Sequence, residues 1–569
     1  MKYIKNFFTL IGVLVVISII SSFFISRSFI ETKIIVPEKS ILEIEIGEKP
    51  IIEDTKGFWG IGESGIHLLT LINNLKKASE DDRIQAVSFH ITGGNISISQ
   101  IQEIHQAIKI LKSKGKMVTS YSNTFGEMQS GMLQYYFASI SDVISLQPMG
   151  NLNITGLHME VPFAKKAIEE NNLKFQIEKR EKYKSMPESV MNETFSKEAK
   201  ENAQNLLNDL MDQILTEISN NRKIDKTHLK TLIDKAPFLG EEAKKLNLID
   251  SISFYDEIPE NLKTIKHKIK YKDYSKALLQ ESRDVETKSE DTIALIYADG
   301  SIITNNSEHH EEGKITNGNM KKAFKEAVRN PNVKVIVFRV NSGGGSGTAS
   351  LSIWREMVLA KNAGKKVIVS MGSAAASGGY FISAPADMII ANAGTITGSI
   401  GVYTGKLITQ NLWKKYGVNW ESIEVGDHSG MWSSSREYKE SEIPLIKKQA
   451  DDVYDYFKGI VSKGRNLSMK EVQELAQGKV YTGIRAKELG LVDKIGSLFD
   501  AINIAKEMIG LKKEDIVQVR VYPNPVSFKE RLEDILSGNI IEQKISMFKE
   551  KIFGYFVMDK LQAKTYEVK

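Results

Sequence analysis

No cysteine occurs in the 569 residues. Disulfides, thiol nucleophiles and cysteine-held metal sites are therefore excluded, while the compartment is left open. Charge of one sign is also scarce in excess. The 76 Lys and Arg residues stand against 71 Asp and Glu, a net charge of +5, and no basic block argues for nucleic acid. After the first thirty residues no apolar run is long enough to cross a bilayer, a span that needs ~20 residues. A short repeat period is missing too, so the chain is not a solenoid.

What is present is one long duplication. IQAVSFHITGG from Ile84 matches VKVIVFRVNSGGG from Val333, with Phe89 on Phe338. SKGKMVTSYS then matches NAGKKVIVSM, and YFASISDVI matches YFISAPADMII. FLGEEAKKLNLID matches YTGIRAKELGLVD, with Asp250 on Asp493. A self-match of this length marks a tandem domain, and the length prior of roughly three to four domains accommodates two repeats plus ends.

Short Val/Ile/Phe runs such as VKVIVFRV and ADMIIAN read as buried strands, and helical patterns that stop at Gly alternate with them. Strands alternating with helices predict an α/β fold with parallel pairing through crossovers. The organisation expected is an anchor and stalk over 1–39, a first repeat over 40–266, a charged linker over 267–290, a second repeat over 291–522 and a helical tail over 523–569. The apolar run from Phe7 to Ile25 follows Lys2 and Lys5. It is longer than a signal-peptide core and lacks a cleavage site, so it is read as an uncleaved transmembrane helix contacting membrane lipid. Arg27 and Lys33 nearly balance the lysines before the span, so charge alone does not orient it.

The chemistry is divided between the repeats. SAAASGGYF places Ser377 between a strand and a helix, among residues small enough for a sharp turn that exposes Oγ. The N–H of Gly378 then points at the same place, as an oxyanion donor would. NSGGGSG (341–347) is a second loop between a strand and a helix, where Gly344 offers another N–H; it lacks the Walker spacing of a phosphate loop. TITGSIG sets Ser399 in a third glycine-flanked turn. A tight packing turn accounts for each of these loops taken alone.

Ser377 needs a base. Asp387 or Asp427 with His428 would follow the Ser…Asp…His order of one hydrolase class. Lys184, in EKYKSMPES of the first repeat, is the other candidate. At an ordinary pKa near 10.4 only about one lysine in 2,500 is neutral at pH 7. Burial between repeats lowers that pKa, and neighbouring Lys179, Arg180 and Lys182 are expected to push the same way. A solvated basic patch is the plain alternative.

Taken together, NSGGGSGTAS, SAAASGGYFIS, NAGTITGSIGV and EKYKSMPES resemble the long, duplicated form of the signal peptide peptidase A family, over nearly the whole chain. The resemblance implies two ClpP/crotonase-like domains in tandem and a Ser/Lys dyad. In it Ser377 is the nucleophile, Lys184 the general base and Ser399 the hydroxyl that orients the lysine, with Gly378 and Gly344 as oxyanion donors. It implies no metal and no cofactor. It also implies a homotetramer that degrades remnant signal peptides and other short apolar peptides. The enzyme would be held by one span in a bacterial inner membrane, with its catalytic domains on the periplasmic side.

Two departures stand out. Gly343 replaces the proline usual in the first loop, and Leu133 of the first repeat falls opposite Ser377, so no second site is expected there. A crotonase-like acyl-CoA enzyme and an inactive membrane scaffold are the alternative functions. His309 and His310 in SEHHEEG are a remote candidate for a metal.

Overall fold

The Val/Ile/Phe runs become two parallel sheets, one for each repeat. The computed structural model describes residues 34–53, 65–257, 265, 267–281, 290–308 and 313–524. The expected membrane span, the His309–His310 pair and nearly all of the expected tail lie outside the described residues. Among the described residues no helix is long and apolar enough to cross a membrane.

In the first sheet the order is Ser251–Ile252, Val143–Leu146, Met117–Ser122, Ile84–Ile91, Ser40–Ile46 and His267–Lys270, all parallel. The second sheet repeats that order with Lys494–Ile495, Met388–Ala391, Lys366–Ala376, Val333–Ser342, Thr292–Asp299 and Gln518–Tyr522, again parallel. It gains an extension, Ile396–Gly398, on the far end of Lys366–Ala376. Helices pack on the apolar faces, Leu68–Glu80 and Ile98–Ser113 on the first sheet and Asn317–Arg329, Gly347–Asn362 and Leu498–Met508 on the second.

One expected boundary is corrected. Their density of charge makes residues 267–290 an expected linker. His267–Lys270 instead pairs with Ser40–Ile46, and helix Tyr271–Glu281 buries Tyr274 and Ala277 against that edge. Two apolar side chains at helical spacing suffice to dock the helix; the charges occupy its other face.

The repeats are joined by buried charge. Arg339, on the second sheet, donates to both oxygens of Glu53 at 3.0 Å and to Glu103 at 2.7 Å. Its remaining donors meet Ser370 Oγ at 3.0 Å and Met371 O at 3.1 Å. Glu103 also accepts from Asn392 and from the Leu498 N–H. All three charged side chains are at most 2% exposed. Burial raises the pKa of Glu103 against the pull of Arg339, and the two carboxylates hold Arg339 above its ordinary value. Such a cluster tolerates the loss of no single partner, because the charges left behind would be buried and unpaired.

Candidate active site

Ser377 ends the Lys366–Ala376 strand and caps helix Gly378–Ser383 with φ 53° and ψ −118°. A residue with a side chain rarely adopts that backbone, and strain of this kind persists only where neighbours over-determine it. Here they do. The Ser377 N–H donates to Gly398 O, and its carbonyl accepts from Phe381 N–H, both at 2.9 Å. A Cβ on Gly378 would stand 2.7 Å from Ser350 Oγ, and one on Gly379 would stand 2.5 Å from Ser342 O. The small residues of the elbow are therefore a packing requirement.

The glycine loop closes on the elbow. A Cβ on Gly344 (φ 105°) would lie 2.6 Å from Gly378 N. The loop is clipped to strand Ser301–Ile303 by Ile302 N–H to Gly344 O at 3.0 Å and Ser346 N–H to Ile302 O at 2.8 Å. The expected role of Gly344 as a donor is corrected, because its N–H donates to Ser342 Oγ at 3.1 Å. The neighbouring Gly345 N–H has no partner among the described residues and lies 3.2 Å from where a Cβ on Gly378 would stand. The run of three glycines could have suggested Gly345, but not which of the three is free.

Lys184 arrives from the other repeat. Strand Lys174–Lys179 leaves the first repeat and pairs antiparallel with Tyr403–Ile408 of the second. Past it, Arg180 N–H donates to Val402 O and Tyr183 N–H to Gln477 O. Gln473 holds Glu181 at 2.9 Å, and Arg180 is anchored by Asp451 and by Lys447 O. Two glycines of the second repeat shape the seat. A Cβ on Gly478 would lie 2.4 Å from Lys184 N, and one on Gly401 would lie 3.3 Å from Lys184 Cδ.

There the lysine is 3% exposed. Its Nζ lies 3.0 Å from each of Ser377 Oγ, Ser399 Oγ and Ser399 O. Burial lowers its pKa to about 8. The expected help from nearby cations does not materialise, since Lys179 is paired with Glu188 and Arg180 with Asp451. Desolvation alone carries the shift. Ser399 (φ 50°) is itself fixed by its N–H to Lys479 O at 2.6 Å.

The histidine alternative is not assembled. His428 is 40% exposed, and the charged group it faces is Glu442, with Nδ1 3.9 Å away. Asp387 accepts from the Val367 N–H, at the opposite end of the strand from Ser377, about 30 Å away at ~3.3 Å per residue. In the first repeat Ser130 Oγ donates to Gly156 O, and Leu133 fills the place matching Ser377.

A strained serine beside a buried lysine, on a duplicated α/β frame with an open glycine loop, describes a serine hydrolase. The model of peptidase family S49 matches residues 110–270 and 359–512, and the chain belongs to that family; it is a serine peptidase. It is 31% identical over 463 residues to Protease 4 of Haemophilus influenzae, covering 78% of this chain and 73% of that protein. It is 29% identical over 485 residues to the chloroplastic serine protease SPPA of Arabidopsis thaliana, covering 84% and 70%. A putative signal peptide peptidase SppA of Enterococcus faecium is 37% identical over 188 residues, 33% of this chain and 55% of that protein.

Proposed function

We propose that Ser377 is the nucleophile and Lys184 the general base of a dyad that spans the two repeats. The observation that carries this reading is the 3.0 Å approach of Nζ to Oγ by a lysine with a pKa of about 8. Neutral Lys184 donates its two N–H groups to Ser399 O and Ser399 Oγ, which aims its lone pair at the Ser377 hydroxyl. Oγ attacks the peptide carbonyl while Nζ takes its proton. The N–H groups of Gly378 and Gly345 hold the oxyanion. The ammonium then protonates the leaving amine as the C–N bond breaks. Water, activated by the same lysine, releases the acyl group.

Substrates in this reading are remnant signal peptides and other short apolar peptides. An apolar cavity of about 400 Å³ beside the elbow, lined by Leu351, Phe381, Val402, Val453 and Tyr456, supports an apolar side chain next to the cleaved bond. The name of the Enterococcus relative supports the signal-peptide class. The proposal includes two ClpP/crotonase-like domains, a homotetramer, and anchoring through Phe7 to Ile25 in a bacterial inner membrane with the site on the periplasmic side. Hydrolysis of a fluorogenic apolar peptide by the full chain, beside Lys184→Ala, Ser377→Ala and His428→Ala, tests the dyad. Loss in the first two with His428→Ala active is expected. Activity that survives Lys184→Ala and vanishes in His428→Ala would overturn it.

A further inference from the structure

Residues 477–480 of the second repeat form one wall of the lysine seat. Gln477 O accepts from Tyr183 N–H at 3.1 Å, Gly478 lies against Lys184 N, and Lys479 O accepts from Ser399 N–H. Consecutive residues thus touch Lys184, its neighbour and the serine that accepts from its Nζ. Gln477 (φ 51°) and Gly478 (φ 76°) are both left-handed. A residue with a side chain stays in that conformation only where its surroundings fix it. Tyr454 holds the start of the segment, accepting from Gln477 N–H at 3.4 Å.

The other end is held from the first repeat. Val480 opens strand Val480–Thr482, at the edge of the second sheet, and stands opposite Gly398 of the antiparallel Ile396–Gly398. Lys479 O is spent on Ser399, so by the alternation of an antiparallel ladder the N–H and C=O of Val480 turn outward. They meet Asn202 on helix Lys197–Arg222 of the first repeat. Val480 N–H donates to Asn202 Oδ1 at 2.9 Å, and Asn202 Nδ2 donates to Val480 O at 3.0 Å. One side-chain amide closes the sheet edge as a further strand would. Asparagine is a poor former of helix interiors, yet it occupies this one and uses both of its polar atoms on Val480. The preceding residue, Glu201, accepts from Tyr183 Oη at 3.3 Å. A single helical turn therefore grips both the loop that carries Lys184 and the segment that carries Lys479.

We infer that Asn202 is a positioning residue for the Ser377–Lys184 chemistry. By clasping Val480 it fixes Lys479 O, and through that carbonyl it fixes Ser399, which aims Lys184 Nζ at Ser377 Oγ. Asn202 touches no reacting atom and does not line the apolar cavity beside the elbow. The first repeat then supplies the lysine and also holds the part of the second repeat that orients it. This role rests on the dyad reading above. Without the clasp, water takes over the outward groups of Val480, the segment loosens and Nζ is rehydrated. Burial is what lowers the pKa of Lys184, so rehydration raises it. The charged groups around the seat are engaged elsewhere. Glu181 accepts from Gln473, Glu201 accepts from Tyr183, and Lys479 Nζ lies over the Tyr183 ring at 4.9 Å.

The test compares the full chain with Asn202→Ala, Asn202→Asp, Asn205→Ala and Lys184→Ala. Peptide hydrolysis gives kcat and KM, and acylation of Ser377 by a fluorophosphonate gives a rate at each pH. Asn202→Ala should lower kcat about 10- to 100-fold and leave KM within about threefold, the pattern of a misplaced base. Its acylation inflection should move up by about one pH unit as the lysine is rehydrated. Asn202→Asp should be impaired at least as much, because it sets a carboxylate oxygen against Val480 O. Alanine forms helix better than asparagine, so loss of the helix does not explain such a result. Asn205→Ala, at an exposed position of the same helix, should behave as the parent. A parent-like kcat in both Asn202 variants would overturn the role. So would a loss that leaves the inflection at the parent's pH, because general loosening lowers the rate without changing the surroundings of Nζ. Lys184→Ala separates the two readings. If the parent's inflection survives in Lys184→Ala, the dyad falls and the clasp with it. If it vanishes there but stays in place in the Asn202 variants, only the clasp falls.

Discussion

The two repeats share a strand order and differ in what their sheets do with it. On the second sheet Ile293, Leu295, Val335, Val337 and Ile368 form an apolar layer with helix Leu498–Met508. At the matching positions the first sheet keeps Ile41 and Ala86 as a small apolar pair but carries Glu43, Ser88 and Thr119, and beside them His90 stacks on Tyr255. Around the elbow the contrast reverses. The second repeat has Ser377 and Gly378, where the first has Leu133 and Gln134. The second repeat carries the strained loops that aim a hydroxyl, and the first carries the lysine strand. Duplication lets each repeat relax the constraints that the other still meets.

Removing either half of the shared site should break that division most completely. Ser377→Ala and Lys184→Ala are each expected to lower kcat by at least ~10³-fold, with little further loss in the double variant, because such groups act as a unit. Single-turnover peptide cleavage checks this; additive losses would show that the two act separately.

The buried contact between repeats comes next. Arg339→Ala leaves Glu53 and Glu103 buried without their cation, and should destabilise the chain by about 3–5 kcal/mol. Denaturant unfolding reads the loss, and a second transition would show that the repeats come apart.

Burial of Lys184 has a stability consequence of opposite sign to the catalytic one proposed for it. Its folded pKa of about 8 lies below the unfolded value, so between the two the unfolded chain binds more protons and stability rises with pH. Below about pH 8 the full penalty applies. Lys184→Met should therefore be more stable than the parent at pH 7 by about 2–3 kcal/mol, a gain that shrinks as pH climbs toward 10. Thermal unfolding at pH 7 and pH 10 reads the sign.

A smaller effect is expected from the lysine seat. Gly478→Ala (φ 76°) would place a Cβ 2.4 Å from Lys184 N, whereas Gly490→Ala (φ 74°) meets only Leu467 Cδ2 at 3.8 Å. Both carry the same backbone strain, so a further loss of about 10²-fold in kcat confined to Gly478→Ala would measure displacement of the lysine.

Much of this was legible in the sequence for local reasons. The strand–turn–helix elbow at Ser377 and the duplicated runs are short-range patterns, and the missing half of each site directed attention to Lys184. Long-range pairing left no such mark. KFQIEKR looks like a charged surface stretch until Tyr403–Ile408 is beside it. Arg339, Glu53 and Glu103 each look like solvated charges, because burial of a charge depends on partners hundreds of residues away. In the segment 267–281 charge outnumbers the two buried helix side chains, Tyr274 and Ala277, so its sequence resembles a linker. Gly344 and Gly345 are indistinguishable in sequence; only the Ser342 hydroxyl tells them apart.

The central claim is that burial at the junction makes Lys184 the base for Ser377. The most direct measurement is the pH dependence of Ser377 acylation by a fluorophosphonate, followed by intact mass in the parent chain and in Lys184→Ala. The account predicts a rate that rises with pH and levels off above about pH 8, and a slow residual rate in Lys184→Ala without that inflection. An inflection between pH 6 and 7 that survives Lys184→Ala, in the range of a histidine, would contradict it.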